Sequence, residues 1–252
     1  MAEPYFVWNG KDSRAMGVIV TGIPPVVYPS ERVEEAKILG RSGSVLLTEG
    51  DDVYDGYYKA VTIANRGAVD HREIAAWLRG SGTLVLSTEP GYSYDARVIK
   101  EAQAKRLFRN VYEGSVAFFV QPLKAEYPPQ PAITVEGSGD GSTAIKARGD
   151  VAARPVYRVE GTGTVVLTVG DASETGAGSV LSVALEEGMD GFVVDTDAAM
   201  VTSLDGTENL SHLCELFYNG FRGLWLPSGD TTTVSWTGAV TSVSIDPRWR
   251  WL

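Results

Sequence analysis

Apolar and polar residues alternate over short runs along most of the chain, which is the two-residue period of half-buried strands, and turn-forming residues bound the runs. In the first half, Val18-Ile19-Val20-Thr21, Ser44-Val45-Leu46-Leu47, Val61-Thr62-Ile63, Leu84-Val85-Leu86 and Val116-Ala117-Phe118-Phe119-Val120 read as strands. Stretches 155–159, 164–169, 191–195, 231–236 and 240–245 do so in the second half. Val and Thr dominate them, side chains that suit a pleated surface. Strands this close together, without long helices between them, predict antiparallel sheets and argue against a doubly wound α/β fold with its ligand crevice.

The period changes once. Ile74, Trp77 and Leu78 are spaced three and four apart behind Asp70, Glu73 lies three residues after Asp70 as in a capping box, and Gly80 supplies a stop. One short helix is predicted, packing on a sheet and burying Trp77 rather than offering it to a ligand. Between residues 121 and 135 Pro122, Pro128, Pro129 and Pro131 each fix φ and remove a ladder donor. A strand is expected to end there and an extended connector to begin. The expected fold is all-β with one short helix, in two β-sandwich domains at 1–130 and 131–252, since 252 residues exceed the soft prior of roughly 150 per domain. Gly137-Ser138-Gly139-Asp140-Gly141-Ser142 is expected to be a mobile tip.

Composition is that of an ordinary globular protein, 44% hydrophobic and 21% charged. A formal net charge of −10, with no Lys/Arg stripe to offset it, opposes binding to a phosphate backbone. The single Cys214 excludes an intrachain disulfide and a cysteine-based zinc site, and beside Leu213 and Leu216 it reads as a small buried residue. No run approaches the roughly 18 apolar residues of a membrane span, and Met1-Ala2-Glu3-Pro4-Tyr5-Phe6 lacks the basic and apolar regions of a leader. Synthesis in the cytoplasm, with no membrane partner, is the expectation.

Candidate chemistry is sparse. His71 falls in the first turn of the predicted helix and His212 follows Ser211, and neither stands in a nucleophile–base setting. Asp51-Asp52 and Glu186-Glu187 are neighbours whose side chains point apart, as in solvated loops. Asp195-Thr196-Asp197 and Asp205 lack the spacing of a calcium loop, and Gly137-x-Gly139 opens no helix that could hold a pyrophosphate. No enzyme activity, cofactor or metal is expected. Trp8, Trp77, Trp225, Trp236, Trp249 and Trp251 read as plugs of β-cores.

The two ends carry more. Phe6-Val7-Trp8-Asn9-Gly10 followed by Met16-Gly17-Val18-Ile19-Val20 reads as strand, Asn-Gly turn and strand. After Pro24-Pro25, charged arms meet at Gly40-Arg41-Ser42-Gly43, a projecting hairpin suited to gripping a neighbour, with Glu34, Glu35 and Lys37 on one side and Arg41 at the turn. Phe118-Phe119-Val120-Gln121-Pro122-Leu123 ends the first half, and Asp246-Pro247-Arg248-Trp249-Arg250-Trp251 closes the chain. In this order the motifs resemble the distal tail proteins of long-tailed, siphovirus-type bacteriophages and prophages. The resemblance implies a first domain that forms a homohexameric ring and a peripheral second domain with a galectin-like or carbohydrate-module-like jelly-roll sandwich. It implies a hub at the virion tail tip joining the major tail tube protein to the tail-associated lysin or fibre protein, and in some phages to receptor-binding proteins. DNA would cross the central channel, where carboxylates would keep its passage non-adhesive. The hairpin from about residue 33 to 47 would be the belt that grips the next protomer, through Glu34, Glu35, Lys37 and Arg41. The alternative is a carbohydrate-binding module that recognises host saccharide through the second domain.

Overall fold

The alternating runs form strands, interrupted among the described residues by a single α-helix. The computed structural model describes residues 3–48, 52–65, 69–99, 103–108 and 111–252. The chain divides into two units, Met1–Pro129 and Gln130–Trp251, and each is built on antiparallel sheet. The architecture is all-β with one short helix. Among the described residues no helix is long and apolar enough to cross a membrane.

In the first unit the elements are β1 (Phe6–Trp8), β2 (Lys11–Asp12), β3 (Val18–Gly22), β4 (Val33–Ala36), β5 (Val45–Thr48), β6 (Tyr57–Asn65), α1 (His71–Trp77), β7 (Ser81–Leu86), β8 (Tyr92–Val98), β9 (Gln103–Phe108) and β10 (Val111–Glu126). All strands but β4 and β5 join one sheet in the order β2-β1-β7-β8-β10-β6-β3, with β9 also on β10. Strands from near both ends of this order send side chains into one core, Phe6 and Trp8 from β1 and Val18 and Val20 from β3, so the sheet curls into a half-barrel. α1 completes that core with Ile74 and Leu78.

Local chemistry explains the details. Asn9 and Gly10 have φ of 50° and 76°, the left-handed pair that closes a two-residue hairpin between Trp8 and Lys11. The Asn9 side chain accepts a hydrogen bond from Thr83 N at 2.9 Å, and a Cβ on Gly82 would lie 1.7 Å from Asn9 Oδ1, so any side chain there would have to push the Asn9 amide off this bond. Asp70 caps α1 as expected, but its carboxylate accepts from Arg72 N at 2.9 Å rather than from the third helical residue. Trp77 is half-buried: its ring stacks on Phe6 at 5.4 Å and its Nε1 donates to the Trp8 carbonyl at 3.1 Å. The expected strand end at residue 121 is corrected, because β10 runs on to Glu126. Its register against β8 shifts between Val120 and Lys124, and Pro122 sits inside that irregularity, where no ladder donor is required.

The second unit contains β11 (Ile133–Glu136), β12 (Gly141–Lys146), β13 (Val156–Val169), β14 (Ser179–Ala184), β15 (Gly191–Asp195), β16 (Met200–Ser203), β17 (Cys214–Tyr218) and β18 (Thr231–Asp246). β13 and β18 pair from Val156↔Asp246 to Val169↔Val234, with register shifts near Gly161 and before Val166. One half of this ladder carries β11, β15 and β16, and the other carries β12, β14 and β17. The ladder creases between the halves. Tyr157, Val159, Val165, Leu167 and Val169 are buried while residues 162–164 are exposed, so one face folds onto itself and makes a two-layer core. Glycines permit the crease: a Cβ on Gly161 would lie 2.6 Å from the Ala239 carbonyl oxygen, and one on Gly238 would lie 2.4 Å from that of Thr164. The expected mobile tip is a bound turn. Gly139 N donates to the Val240 carbonyl at 2.8 Å, and Asp140 accepts from Gly238 N at 2.9 Å.

Cys214 is half-buried rather than buried, at the start of β17 at the end of the sheet order. Its Sγ donates to the Leu210 carbonyl at 3.1 Å, and burial pushes the thiol up to about 11.

Candidate functional site

Among the described residues, strands β4 and β5 pair only with each other, in the register Val33↔Thr48 to Ala36↔Val45. Directly opposed residues share a face, so Glu35 lies beside Leu46 on one face and Glu34 beside Leu47 on the other. Both faces meet solvent. Glu34, Glu35, Lys37 and Arg41 are all exposed, with the glutamates on β4 and the two cations in the connection between the strands. Ser44 Oγ donates to the Glu35 carboxylate, and Arg41 N donates to the Ile38 carbonyl at 3.2 Å. Gly40 and Gly43 carry φ of 80° and 85° and so provide the reversal. The arm also exposes Ile38, Leu46 and Leu47, and Leu39 is 102% exposed. Reading the arm for charge missed this apolar content, although Ile38-Leu39 between Lys37 and Arg41 was its signal. An isolated hairpin is marginal in water, and this one leaves its leucines in solvent.

The root of the arm is tied to the half-barrel. Glu31 bridges Tyr54, Asp55 N donates to the Ser30 carbonyl at 3.0 Å, and Arg32 pairs with Asp55 at 2.9 Å. The connector from β3 is held by Tyr57 OH, which donates to the Val27 carbonyl at 3.2 Å, and by the Lys59 ammonium, 3.4 Å from the Pro25 carbonyl oxygen. Lys59 and Lys124 are buried, 1% and 4% exposed. Glu89 answers them: Lys124 Nζ donates to it at 2.8 Å and Tyr94 OH donates to its other oxygen. Burial alone would push the Glu89 carboxyl up, but the bonds from Lys124 and Tyr94 outweigh it and hold the group below its usual range. Burial lowers the Lys59 ammonium, with Glu89 opposing and Lys124 adding to the shift.

The other candidates have local partners. His71 stacks on Tyr112 at 4.9 Å and its Nδ1 lies 3.1 Å from the Asp70 carboxylate, while His212 is exposed in a 3-10 turn, Ser211–Leu213. Asp51 lies outside the described residues. Asp205 accepts bonds from Ser203 and Thr207, which lower it to about 2. Asp195 and Asp197 hold the chain's last segment, where Arg248 pairs with Asp195 at 3.1 Å and Arg250 with Asp197 at 2.9 Å. Trp249 and Trp251 alternate with these arginines and are buried, so the closing motif is a latch within the second unit. Arg154 pairs with Asp197 at 2.6 Å and lies 4.5 Å from the Trp225 ring centroid, covering a face that a sugar would need.

Two all-β units, with an exposed, charged and aliphatic two-stranded arm on the first, define the class of protein by its fold. No protein-family model matches the sequence, and no curated protein does. Solved structures share the fold. The Dit protein of phage SPP1, a paradigm of the hub adsorption apparatus in phages that infect Gram-positive bacteria, matches over 100% of both chains with a TM-score of 0.70 at 18% identity. Chains in the activated phage P2 baseplate match too: with calcium, over 95% of this chain and 99% of that one (TM-score 0.53, 10% identity), and with strontium, over 97% of each (0.54, 10%). This chain therefore has the fold of phage tail hub proteins.

Proposed function

We propose that this chain is a non-enzymatic distal tail protein, six copies of which form a ring at the phage tail tip. The first unit makes the ring, and the second, galectin-like in type, lies at its periphery. The ring joins the tail tube protein to the tail-associated lysin or fibre protein, receives receptor-binding proteins where a phage has them, and lets DNA through its channel. It is made in the host cytoplasm and takes part in host attachment as part of the virion. The reading is carried by the whole-length fold likeness to SPP1 Dit, and the uncovered arm is consistent with it. Glu34, Glu35, Lys37 and Arg41 supply polar contacts to the next copy, and the neighbouring leucines supply the apolar ones.

Light scattering and negative-stain imaging test the proposal. A ring or hexamer is expected from the intact chain, and a folded monomer after the arm is trimmed to a minimal turn. An unchanged hexamer without the arm would remove it from the assembly. The saccharide reading is not adopted, because Trp225 is covered by Arg154 and Trp236, Trp249 and Trp251 are buried. A broad glycan array is expected to stay blank, and specific binding there would revive that reading.

A further inference from the structure

Under α1 the half-barrel leaves a cavity of about 160 Å³, walled by Val18, Ile63, Ile74, Leu78 and Tyr112, with Glu113 beside them. Its space is about ten times the roughly 15 Å³ that one water needs on the same measure, and its lining is mainly apolar, so it suits an aliphatic side chain better than solvent. The strand beside it, β3, is the last in the sheet order, which leaves its outer edge free to meet another chain among the described residues.

We infer that the tip of the arm, led by Leu39, seats in the cavity under α1 of a second copy of this chain. The inference rests on the self-association proposed above and adds the acceptor for it. Leu39 is fully exposed, and among the described residues β4 and β5 pair only with each other. Charge selects the occupant. Residues 36–44 hold Lys37 and Arg41 and no carboxylate, in a chain whose net charge is −10, so the tip is a basic patch on an acidic protein and a second copy attracts it. Glu113 is part of the cavity lining, and the stacked pair His71 and Tyr112 forms an aromatic lip. An aliphatic plug flanked by cations matches an apolar hole with a carboxylate, Glu113, in its lining.

Single-cysteine variants in a Cys214→Ser background test the contact. Leu39→Cys is mixed with Ala75→Cys, an exposed position on the cavity rim, and with Ala132→Cys in the second unit as control. Under mild oxidation the first mixture is expected to give a disulfide-linked pair and the control mixture none. Leu39→Asp is expected to raise the concentration needed for association tenfold or more, and Leu39→Met to leave it nearly unchanged. Assembly that persists without the Leu39–Ala75 cross-link, with equal cross-linking in the control, or without response to Leu39→Asp, overturns this inference and leaves the ring reading standing. A chain that stays monomeric at every concentration overturns both. Binding of Leu39 to lipid vesicles or DNA, with no self-association, assigns the tip to another partner and overturns the inference as well.

Discussion

Two lysines in the first unit show how a single residue can be costly or supportive according to its partners. Glu89 is the carboxylate that balances buried Lys124, with Lys59 nearby. Glu89→Gln leaves these cations without it and is expected to cost about 3 kcal/mol in urea unfolding, whereas Lys59→Met, which relieves burial of a charge, is expected to be neutral or stabilising. The pH dependence follows from the directions of the shifts. The lowered Glu89 carboxyl contributes stability that is fully present above about pH 4 and lost as pH falls through its folded value. The lowered Lys59 ammonium acts with the same sign in a higher window: stability rises as pH climbs through its folded value towards about 10.4. Unfolding midpoints measured from pH 2 to 10 check both, and a Glu89→Gln variant with the wild-type acid limb would refute the first. Gly82→Ala is expected to cost about 2 kcal/mol, because its Cβ must displace the Asn9 side chain from the Thr83 bond.

At the scale of elements, the crease in the β13–β18 ladder decides the second unit. A flat ladder of that length would leave Tyr157 and Leu167 on one open face, but folded at Gly161 and Gly238 it sets them in a common core. Gly161→Ala or Gly238→Ala forces a methyl group against a carbonyl oxygen on the paired strand. Each is expected to destabilise the unit by about 2 kcal/mol or more, read by denaturant unfolding of the full chain. A change below 0.5 kcal/mol would mean that the crease does not depend on glycine. The latch of Arg248 and Arg250 on Asp195 and Asp197 belongs to the same scale. These are partly exposed pairs, so Asp197→Asn is expected to cost no more than about 1 kcal/mol.

For the whole molecule, the charge balance predicts how copies meet. If a basic tip docks on an acidic copy, association weakens as salt rises from 0.05 to 0.5 M, by about tenfold, and light scattering at several ionic strengths measures it. Trimming the arm is expected to shift the melting temperature by no more than about 2 °C, since among the described residues none from β4 or β5 belongs to the core of the half-barrel. Much of the fold was legible in advance, because period-two runs such as 116–120 and 164–169 can bury one face only as strands, and the Asp70 cap with Ile74 and Leu78 can serve only a helix. The end of β10 was misread because a proline at a bulge costs no hydrogen bond, and pairing partners cannot be seen along one strand. The arm's glutamates and cations were legible as a hairpin, but its uncovered leucines were not, since local pattern does not say what lies over a strand. Sequence alone determined the all-β class, the single helix and the turn at Asn9-Gly10, all of which depend on neighbours a few residues apart. Only the tertiary structure decided that Lys59 faces a core beside Glu89, that Arg154 covers Trp225 and that a cavity opens under α1. Each of those joins residues tens of positions apart, and their contact energies exist only once the sheet has closed.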